Sequence, residues 1–257
     1  MMIVASYGGG TNSTAMLIGM AERGEKVDMI LFADTGGEKP NTYMHIGEFN
    51  LWLLDHGMPD IRYVQRVNRD GVVRFLEKDC IDGKMLPSIA YGYKACSIKY
   101  KRDPQDKYCN NYPPCRDVWA SGGKVTKLIG YDVDEPHRAR IPEDEKYLYR
   151  YPLIEWGWGR DECVEAIAKA ALPQPGKSAC FFCPSSKKHE IIELQRRYPD
   201  LAARAVAMEK NAELTTVKGL GRDWAWGDLL KFDEAQIKLF PESPIEIDCG
   251  CYDGSAE

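Results

Sequence analysis

Near its start the chain carries a run of glycines followed by small hydroxyl and amide side chains. The run comprises Gly8, Gly9, Gly10, Thr11, Asn12 and Ser13. Glycines let a ligand approach the backbone, and the free amides at the start of a helix point at any anion placed there. The two hydroxyl groups add hydrogen-bond donors. These residues therefore predict a phosphate-binding loop, the alternative being a tight glycine turn of structural use only.

The spacing of this loop separates it from two common nucleotide-binding patterns. It has neither the lysine of the GxxxxGK[ST] pattern nor the glycine spacing of GxGxxG. We therefore expect neither a loop for γ-phosphoryl transfer nor a dinucleotide site.

Two of the nine cysteines form a CxxC pair. Cys180 and Cys183 are followed by Pro184, and their spacing lets two thiolates meet one metal ion. A redox pair and ordinary buried thiols are the alternatives. Two further ligands are needed for a metal site, and a set of thiolates suits either a [4Fe–4S] cluster or structural Zn²⁺. Spacing alone does not decide between these.

Apolar runs that alternate with helical patterns provide the elements that position these residues. The sequence predicts strands over 1–7, 27–33, 61–64 and 125–129, and helices over 14–23 and 42–56. Strands that alternate with helices indicate a doubly wound parallel sheet of the Rossmann-like α/β class. In such a sheet, ligands lie beyond the carboxyl ends of the strands.

The rest of the chain divides into a weakly patterned segment and a helical one. Residues 70–120 show no clean period, which predicts an irregular insertion. Helices are predicted over 161–171, 188–198 and 201–214. We therefore expect a nucleotide-binding α/β domain over 1–160, and a mostly helical region over 161–257 that carries the CxxC pair and a cysteine-containing tail.

Composition and charge narrow the class of protein. The chain has 257 residues, is 44% hydrophobic and carries a formal net charge of −5, which argues against a protein that coats nucleic acid nonspecifically. No apolar run approaches the roughly 18 residues of a membrane span, and the N-terminus lacks the charged flank of a signal peptide. We expect a cytoplasmic protein with no membrane partner.

The glycine loop resembles the SGGxDS signature of the PP-loop ATP pyrophosphatases. Gly9, Gly10 and Ser13 match it, whereas Gly8 replaces the first serine and Asn12 the aspartate. The resemblance implies that the loop binds ATP with Mg²⁺ and that ATP is split between its α and β phosphates. Because Asn12 offers a neutral ligand where the family has an anion, the usual Mg²⁺ arrangement is altered.

Further segments resemble the phosphoadenosine phosphosulfate reductase-like branch of this superfamily, of the phage and mobile-element type. Residues 129–138 look like its GxxxDExxR stretch, and residues 151–156 look like YPLxxW. The resemblance implies that Gly130 and Arg138 contact the nucleotide, and that Asp34 after the second strand contacts adenosine. Arg138 and Arg140 are suited to bidentate phosphate contacts, and Glu135 to orienting an arginine or binding metal. A solvated charged turn is the alternative.

The same branch implies partners for the CxxC pair. Cys96, in the segment KACSIK, resembles the CTxxxK cysteine that joins such a pair, and Cys249 or Cys251 in the tail completes the set. The sulfur-inserting relatives modify DNA or transfer RNA, which favours an iron–sulfur cluster and a nucleic-acid acceptor. The tail lacks the ECGxH motif of true reductases, so we do not expect sulfonucleotide reduction.

Together these features predict an enzyme that adenylates its substrate or hydrolyses ATP at the α-phosphate. We expect Ser13, Glu135 and Arg138 to act on the phosphates, and an iron–sulfur cluster to carry sulfur to an activated base. The alternative is a nucleotide-binding accessory protein that has lost its chemistry and serves a nucleic-acid complex through a protein partner. The replacement of aspartate by Asn12 favours the alternative.

Overall fold

Five parallel strands form the centre of the molecule. The computed structural model describes residues 1–239 except 93, 140, 142 and 143, with the side chains of 236–239 also excluded. The strands lie in the order β3-β2-β1-β4-β5, and every neighbouring pair is parallel. They are β1 (Ile3–Tyr7), β2 (Met29–Ala33), β3 (Ile61–Val64), β4 (Val125–Ile129) and β5 (Tyr147–Arg150). The parallel α/β class predicted from the sequence is confirmed.

Helices cover both faces of this sheet. The two that follow β1 and β2 are α1 (Thr11–Glu22) and α2 (Pro40–Asp55), and both pack on one face with Ile3, Ala5 and Tyr7. The opposite face buries Val4 and Leu31 against cysteines from two later helices. Alternate residues of β1 therefore enter different cores, as the period of two along a strand requires.

The segment predicted to be irregular contains several short helical pieces. They are α3 (Leu76–Asp82), a 3₁₀ turn (Ser88–Tyr91), α4 (Ala95–Ser97), a π-helical turn (Ile98–Arg102), α5 (Asp103–Asn111) and α6 (Pro113–Ala120). Buried Cys109 of α5 and Cys115 of α6 pack beneath the sheet. The pieces are too short to show a clear hydrophobic period, which explains why the sequence did not predict them.

The last helices divide between two cores. They are α7 (Pro152–Glu155), α8 (Arg160–Lys169), α9 (Lys188–Arg197), α10 (Pro199–Asn211) and α11 (Trp226–Leu239). Cys163 and Ile167 of α8 join the core of the sheet, whereas α9 and α10 share a separate core with α3. A domain boundary at residue 160 remains a prediction.

Transmembrane segments were also expected to be absent. Within the described part of the chain, no helix combines the length and apolar character needed to cross a bilayer.

Candidate functional site

The glycine loop is a sharp turn from β1 into α1. Gly9 has a φ of +73°, in the left-handed region that favours glycine, and a Cβ there would lie 3.2 Å from Thr42 Cγ2. Gly10 is the N-cap of α1, which begins at Thr11 rather than at the predicted residue 14. The polar residues 11–13 thus form the first helical turn, whose amides have no acceptor within the helix.

Serine hydroxyl groups brace this turn from inside and from outside. Ser13 Oγ accepts a hydrogen bond from the Gly8 amide at 3.1 Å and donates to the Gly10 carbonyl at 3.2 Å. Ser178, which the sequence did not single out, donates from Oγ to the Gly8 carbonyl. The hydroxyl group of Ser13 is therefore engaged within the loop, and its role in catalysis remains a prediction.

A large cavity opens beside the loop at the carboxyl ends of β1, β2 and β4. Its volume is about 1060 Å³, and its wall includes Gly8 and residues 10–13. Seven basic residues also line it, against three glutamates: Lys101, Arg102, Lys127, Arg138, Arg160, Lys177 and Lys187, with Glu135, Glu190 and Glu193. In a chain with a net charge of −5, this is a local concentration of positive charge. Such a cavity attracts an anionic ligand.

The predicted phosphate-binding segment after β4 lies on the wall of this cavity. Glu135 and Arg138 both line it, and Arg138 Nη1 donates to the two carboxylate oxygens of Glu135 at 2.7 and 2.6 Å. The Arg138 guanidinium also stands 4.4 Å from the ring centroid of Tyr131. The structure therefore brings both predicted residues to the cavity that the glycine loop also lines. Arg140 lies outside the described residues.

Lys127 is a further cation that the sequence did not single out. It sits in β4 with 5% of its surface exposed, forms an ion pair with Asp106, and lies 4.0 Å from the ring centroid of Tyr147. A lysine inside an otherwise apolar central strand is the signal that would have identified it, since buried lysines are rare unless paired.

Asp34 occupies the predicted position at the end of β2, but its carboxylate is already hydrogen-bonded. Oδ1 accepts from the Gly36 amide at 2.8 Å and from the Tyr43 hydroxyl at 2.7 Å, and Oδ2 accepts from Gln65 at 3.0 Å. Burial, followed by the bond to Asp34, raises the pKa of Tyr43. The preceding residues Phe32 and Ala33 line the cavity. A contact between Asp34 and adenosine remains a prediction.

The CxxC pair lies in a tight turn close to the cavity. The Cys183 amide donates to the Cys180 carbonyl at 3.0 Å, and Cys180 Sγ lies 3.1 Å from Thr35 Oγ1. Burial and then the charge of Glu38 raise the pKa of the Cys180 thiol to about 12, although Lys101 acts in the opposite direction. Lys101 Nζ contacts Glu38 Oε1 at 3.2 Å.

The third predicted ligand is not brought together with this pair. Cys96 of α4 and Cys180 both pack against the core that α3 shares with α9 and α10, but among the described residues no group of three or more Cys, His, Asp or Glu side chains is placed to hold a metal ion. Cys249 and Cys251 lie outside the described residues. A cluster or Zn²⁺ site built from Cys96, Cys180, Cys183 and the tail therefore remains a prediction.

Comparison with known proteins gives a limited result. No protein-family model matches the chain, and no curated protein matches it in sequence. Among solved structures, the chain is similar to the U34-tRNA thiolase NcsA from Methanococcus maripaludis, solved with its [4Fe–4S] cluster. The identity is 16% and the TM-score 0.44, and the match covers 100% of this chain and 78% of that one. At this identity and TM-score, the similarity supports no functional assignment.

Proposed function

We propose that the chain binds ATP through the glycine loop and cleaves it between the α and β phosphates. The observation that carries this proposal is the cavity whose wall combines the first turn of α1 with seven lysine and arginine side chains, five of which are ion-paired with carboxylates. Helix amides and the helix dipole favour an anion at that position, and the basic residues neutralise the several charges of a triphosphate.

The place of the cavity in the sheet supports the same proposal. Connections run from β1 towards β2 and β3 on one side and towards β4 and β5 on the other, so the strand order reverses beside β1. Open parallel sheets bind ligands outside the carboxyl ends of strands at such a switch point. Both the glycine loop and the segment after β4 leave the sheet there.

Cleavage at the α-phosphate fits the residues better than γ-phosphoryl transfer. The loop lacks the lysine of the GxxxxGK[ST] pattern, while amides and cations on several sides suit charge that builds on a pyrophosphate leaving group. In this proposal Ser13 keeps the loop amides in place, and Arg138 stabilises the leaving group. Glu135 orients Arg138, to which it is already bonded. A Mg²⁺ ion bound with the nucleotide would supply Lewis-acid assistance.

The acceptor in this proposal is a nucleic-acid base, in DNA or transfer RNA, activated by adenylation. Lys101 lines the cavity and interacts electrostatically with the thiols of Cys180 and Cys183, so these two cysteines lie close to the cavity. A [4Fe–4S] cluster at this pair would need ligands beyond Cys180 and Cys183, because among the described residues Cys96 does not join them in a metal-binding group. Zn²⁺ is the other group that such thiolates would hold.

Two observations favour a second candidate function. Asn12 stands where the resembled signature has an aspartate, and Glu135 is neutralised by Arg138. A protein with this arrangement would bind ATP without splitting it and serve as a nucleotide-binding module of a nucleic-acid complex.

The test is to follow both phosphate products from ATP and Mg²⁺, with the protein alone and with total transfer RNA, DNA and a sulfide donor. We expect pyrophosphate. We also expect Arg138→Gln to slow its formation about 10²-fold, because one stabilising donor at a developing charge has this effect. Arg116→Gln, an exposed arginine on α6, is the control and keeps the wild-type rate.

Two results would contradict the proposal in different ways. Release of inorganic phosphate without pyrophosphate would exclude cleavage between the α and β phosphates. Tight ATP binding with no product under any of these conditions would favour the binding module.

A further inference from the structure

The side chain of Asn12 is held in one orientation by a carboxylate from a distant part of the chain. Asn12 Nδ2 donates to Asp132 Oδ2 at 2.6 Å, and Asp132 Oδ1 accepts from the Asp134 amide at 3.2 Å. Asp132 is 4% exposed. Because a carboxylate only accepts, it selects the nitrogen of the carboxamide and leaves the oxygen on the other side.

That oxygen lacks a partner. Asn12 Oδ1 is buried and has no hydrogen-bond partner within the described residues, while Asn12 itself lines the cavity beside the glycine loop. Buried polar atoms in proteins usually have a partner, and an unpaired one on a residue that lines a cavity is available to a group that a ligand brings. Amide oxygens bind hard divalent cations such as Mg²⁺.

A glycine makes the pairing of Asn12 with Asp132 possible. A Cβ at Gly130 would lie 3.0 Å from the backbone nitrogen and Cα of Ser13 and 3.1 Å from the carbonyl carbon of Asn12. The chain leaving β4 therefore packs directly on the first turn of α1. This contact brings together two side chains separated by 120 positions in the sequence.

We propose that Asp132 is a positioning residue that presents Asn12 Oδ1 to the divalent cation carried by the nucleotide. Through this hydrogen bond Asp132 also supplies, from the segment after β4, the negative charge that position 12 lacks. The proposal rests on the proposed ATP site. Phosphate oxygens and water provide the remaining ligands of the cation, so the cation binds only together with the nucleotide.

The first test measures the affinity for α,β-methylene-ATP, which is not split between the α and β phosphates, by calorimetry with Mg²⁺ and with a chelator. Asp132→Asn keeps the shape and one hydrogen bond but loses the charge. We expect the factor by which Mg²⁺ increases the nucleotide affinity to be about 10-fold or more smaller in this variant, as for other residues that orient metal ligands. Its affinity in chelator stays at the wild-type value.

Asp134→Asn is the matched control for this measurement. It removes one negative charge from the same segment, and its remaining oxygen still accepts from the Arg160 amide that bonds Asp134 Oδ2 at 3.1 Å. We expect it to keep the Mg²⁺-dependent gain. An equal loss in both variants would overturn the proposal, because the charge of the segment rather than the pairing would then be responsible.

The second test exchanges the two side chains. Asn12→Asp alone places two carboxylates within hydrogen-bonding distance at a buried position, so we expect a lower melting temperature without nucleotide. Adding Asp132→Asn restores one amide–carboxylate pair, and the melting temperature and the Mg²⁺-dependent affinity return towards wild type.

The outcomes separate this inference from the proposed function. The role proposed for Asp132 is contradicted, and the ATP site is not, if Asn12→Asp alone is as stable as the exchanged protein. The same holds if the wild type binds nucleotide and Asp132→Asn keeps the full effect of Mg²⁺ on affinity. If the wild type binds no nucleotide with or without Mg²⁺, both fail.

Discussion

Gly9 is the residue at which the backbone conformation and the space around it both restrict the side chain. Its φ of +73° excludes most L-residues, and Thr42 and Ile46 of α2 approach the position that a Cβ would take. Gly24 after α1 has a similar φ of +62° but no atom within 4 Å of that position. Alanine at position 24 would therefore introduce backbone strain alone, whereas alanine at position 9 would introduce both backbone strain and a steric clash.

Alanine at these two positions gives the first prediction at this scale. A left-handed alanine costs about 1–2 kcal/mol, so we expect Gly24→Ala to lose about that free energy of unfolding with unchanged ATP affinity. Gly9→Ala should lose more and bind ATP about tenfold more weakly or worse, since the loop amides shift from the phosphates. Denaturant unfolding and calorimetry measure both quantities. Equal behaviour of the two variants would contradict a phosphate role for the loop.

Some residues of the site were recognisable in the sequence and others were not. The glycines before a helix, Glu135 and Arg138 carry local patterns, and the structure brings them to one cavity. Asp132 and Ser178 carry none, because their roles come from contacts with residues 12 and 8 that only the fold brings near. Lys127 is an intermediate case, because a charged residue within a largely apolar strand can be noticed in the sequence.

Among the elements, α11 has the amides at its start hydrogen-bonded to a single carboxylate. Glu209 of α10 is 6% exposed, and its Oε2 accepts from the amides of Leu220 and Trp226, while Oε1 accepts from Gly227. Trp226 and Gly227 form the start of α11, where a negative charge also interacts favourably with the helix dipole.

We expect Glu209→Ala to lower the free energy of unfolding by about 3 kcal/mol or more, because buried donors left without acceptors cost about 1–3 kcal/mol each. Glu213→Ala is the control. Its side chain is 74% exposed and pairs with an exposed lysine, Lys84, so the loss should stay below about 1 kcal/mol. A loss for Glu209→Ala no greater than the control would show that α11 does not need this contact.

The strands and helices that could be predicted from the sequence are those with the clearest hydrophobic patterns. β1 and β2 were predictable because each is a short, largely apolar run, and β3 and β4 because apolar residues flank the polar ones within them. The strand β5 was missed because Tyr147, Leu148, Tyr149 and Arg150 mix polar and aromatic groups at the edge of the sheet. The sequence predicts a loop for the first turn of α1 because Thr11, Asn12 and Ser13 have low helix propensity, whereas the helix begins at Thr11 with Gly10 as its N-cap.

On the scale of the whole molecule, a buried histidine links the sheet to two helices beneath the loop. His45 of α2 is 5% exposed, and its Nε2 lies 3.3 Å from Thr14 Oγ1 in α1, which lies 3.3 Å from the Tyr7 hydroxyl. Burial lowers the pKa of His45 below 6.5, opposed by the charge of Glu48. In the unfolded chain this histidine therefore binds a proton more readily than in the folded protein.

Folding stability should consequently decrease as the pH falls below 6.5, until the folded-state pKa of His45 is passed. The contribution is at most about 1.4 kcal/mol per pH unit. We expect His45→Gln to reduce this pH dependence of the free energy of unfolding between about pH 7.5 and 5.5, measured with denaturant. His56→Gln, an exposed histidine following the same helix, is the control and keeps the wild-type slope. Identical slopes in all three proteins would exclude His45 as the cause.

The hydrogen bond from Ser178 to Gly8 joins residues 170 positions apart, and it has a consequence for the protein as it is made. Domains tend to fold during synthesis from the N-terminus onwards, yet the glycine turn receives this brace only after the 170 positions that separate the two residues have been translated. A nascent chain is thus unable to complete the wall of the proposed nucleotide site until the segment that carries Ser178 has emerged from the ribosome.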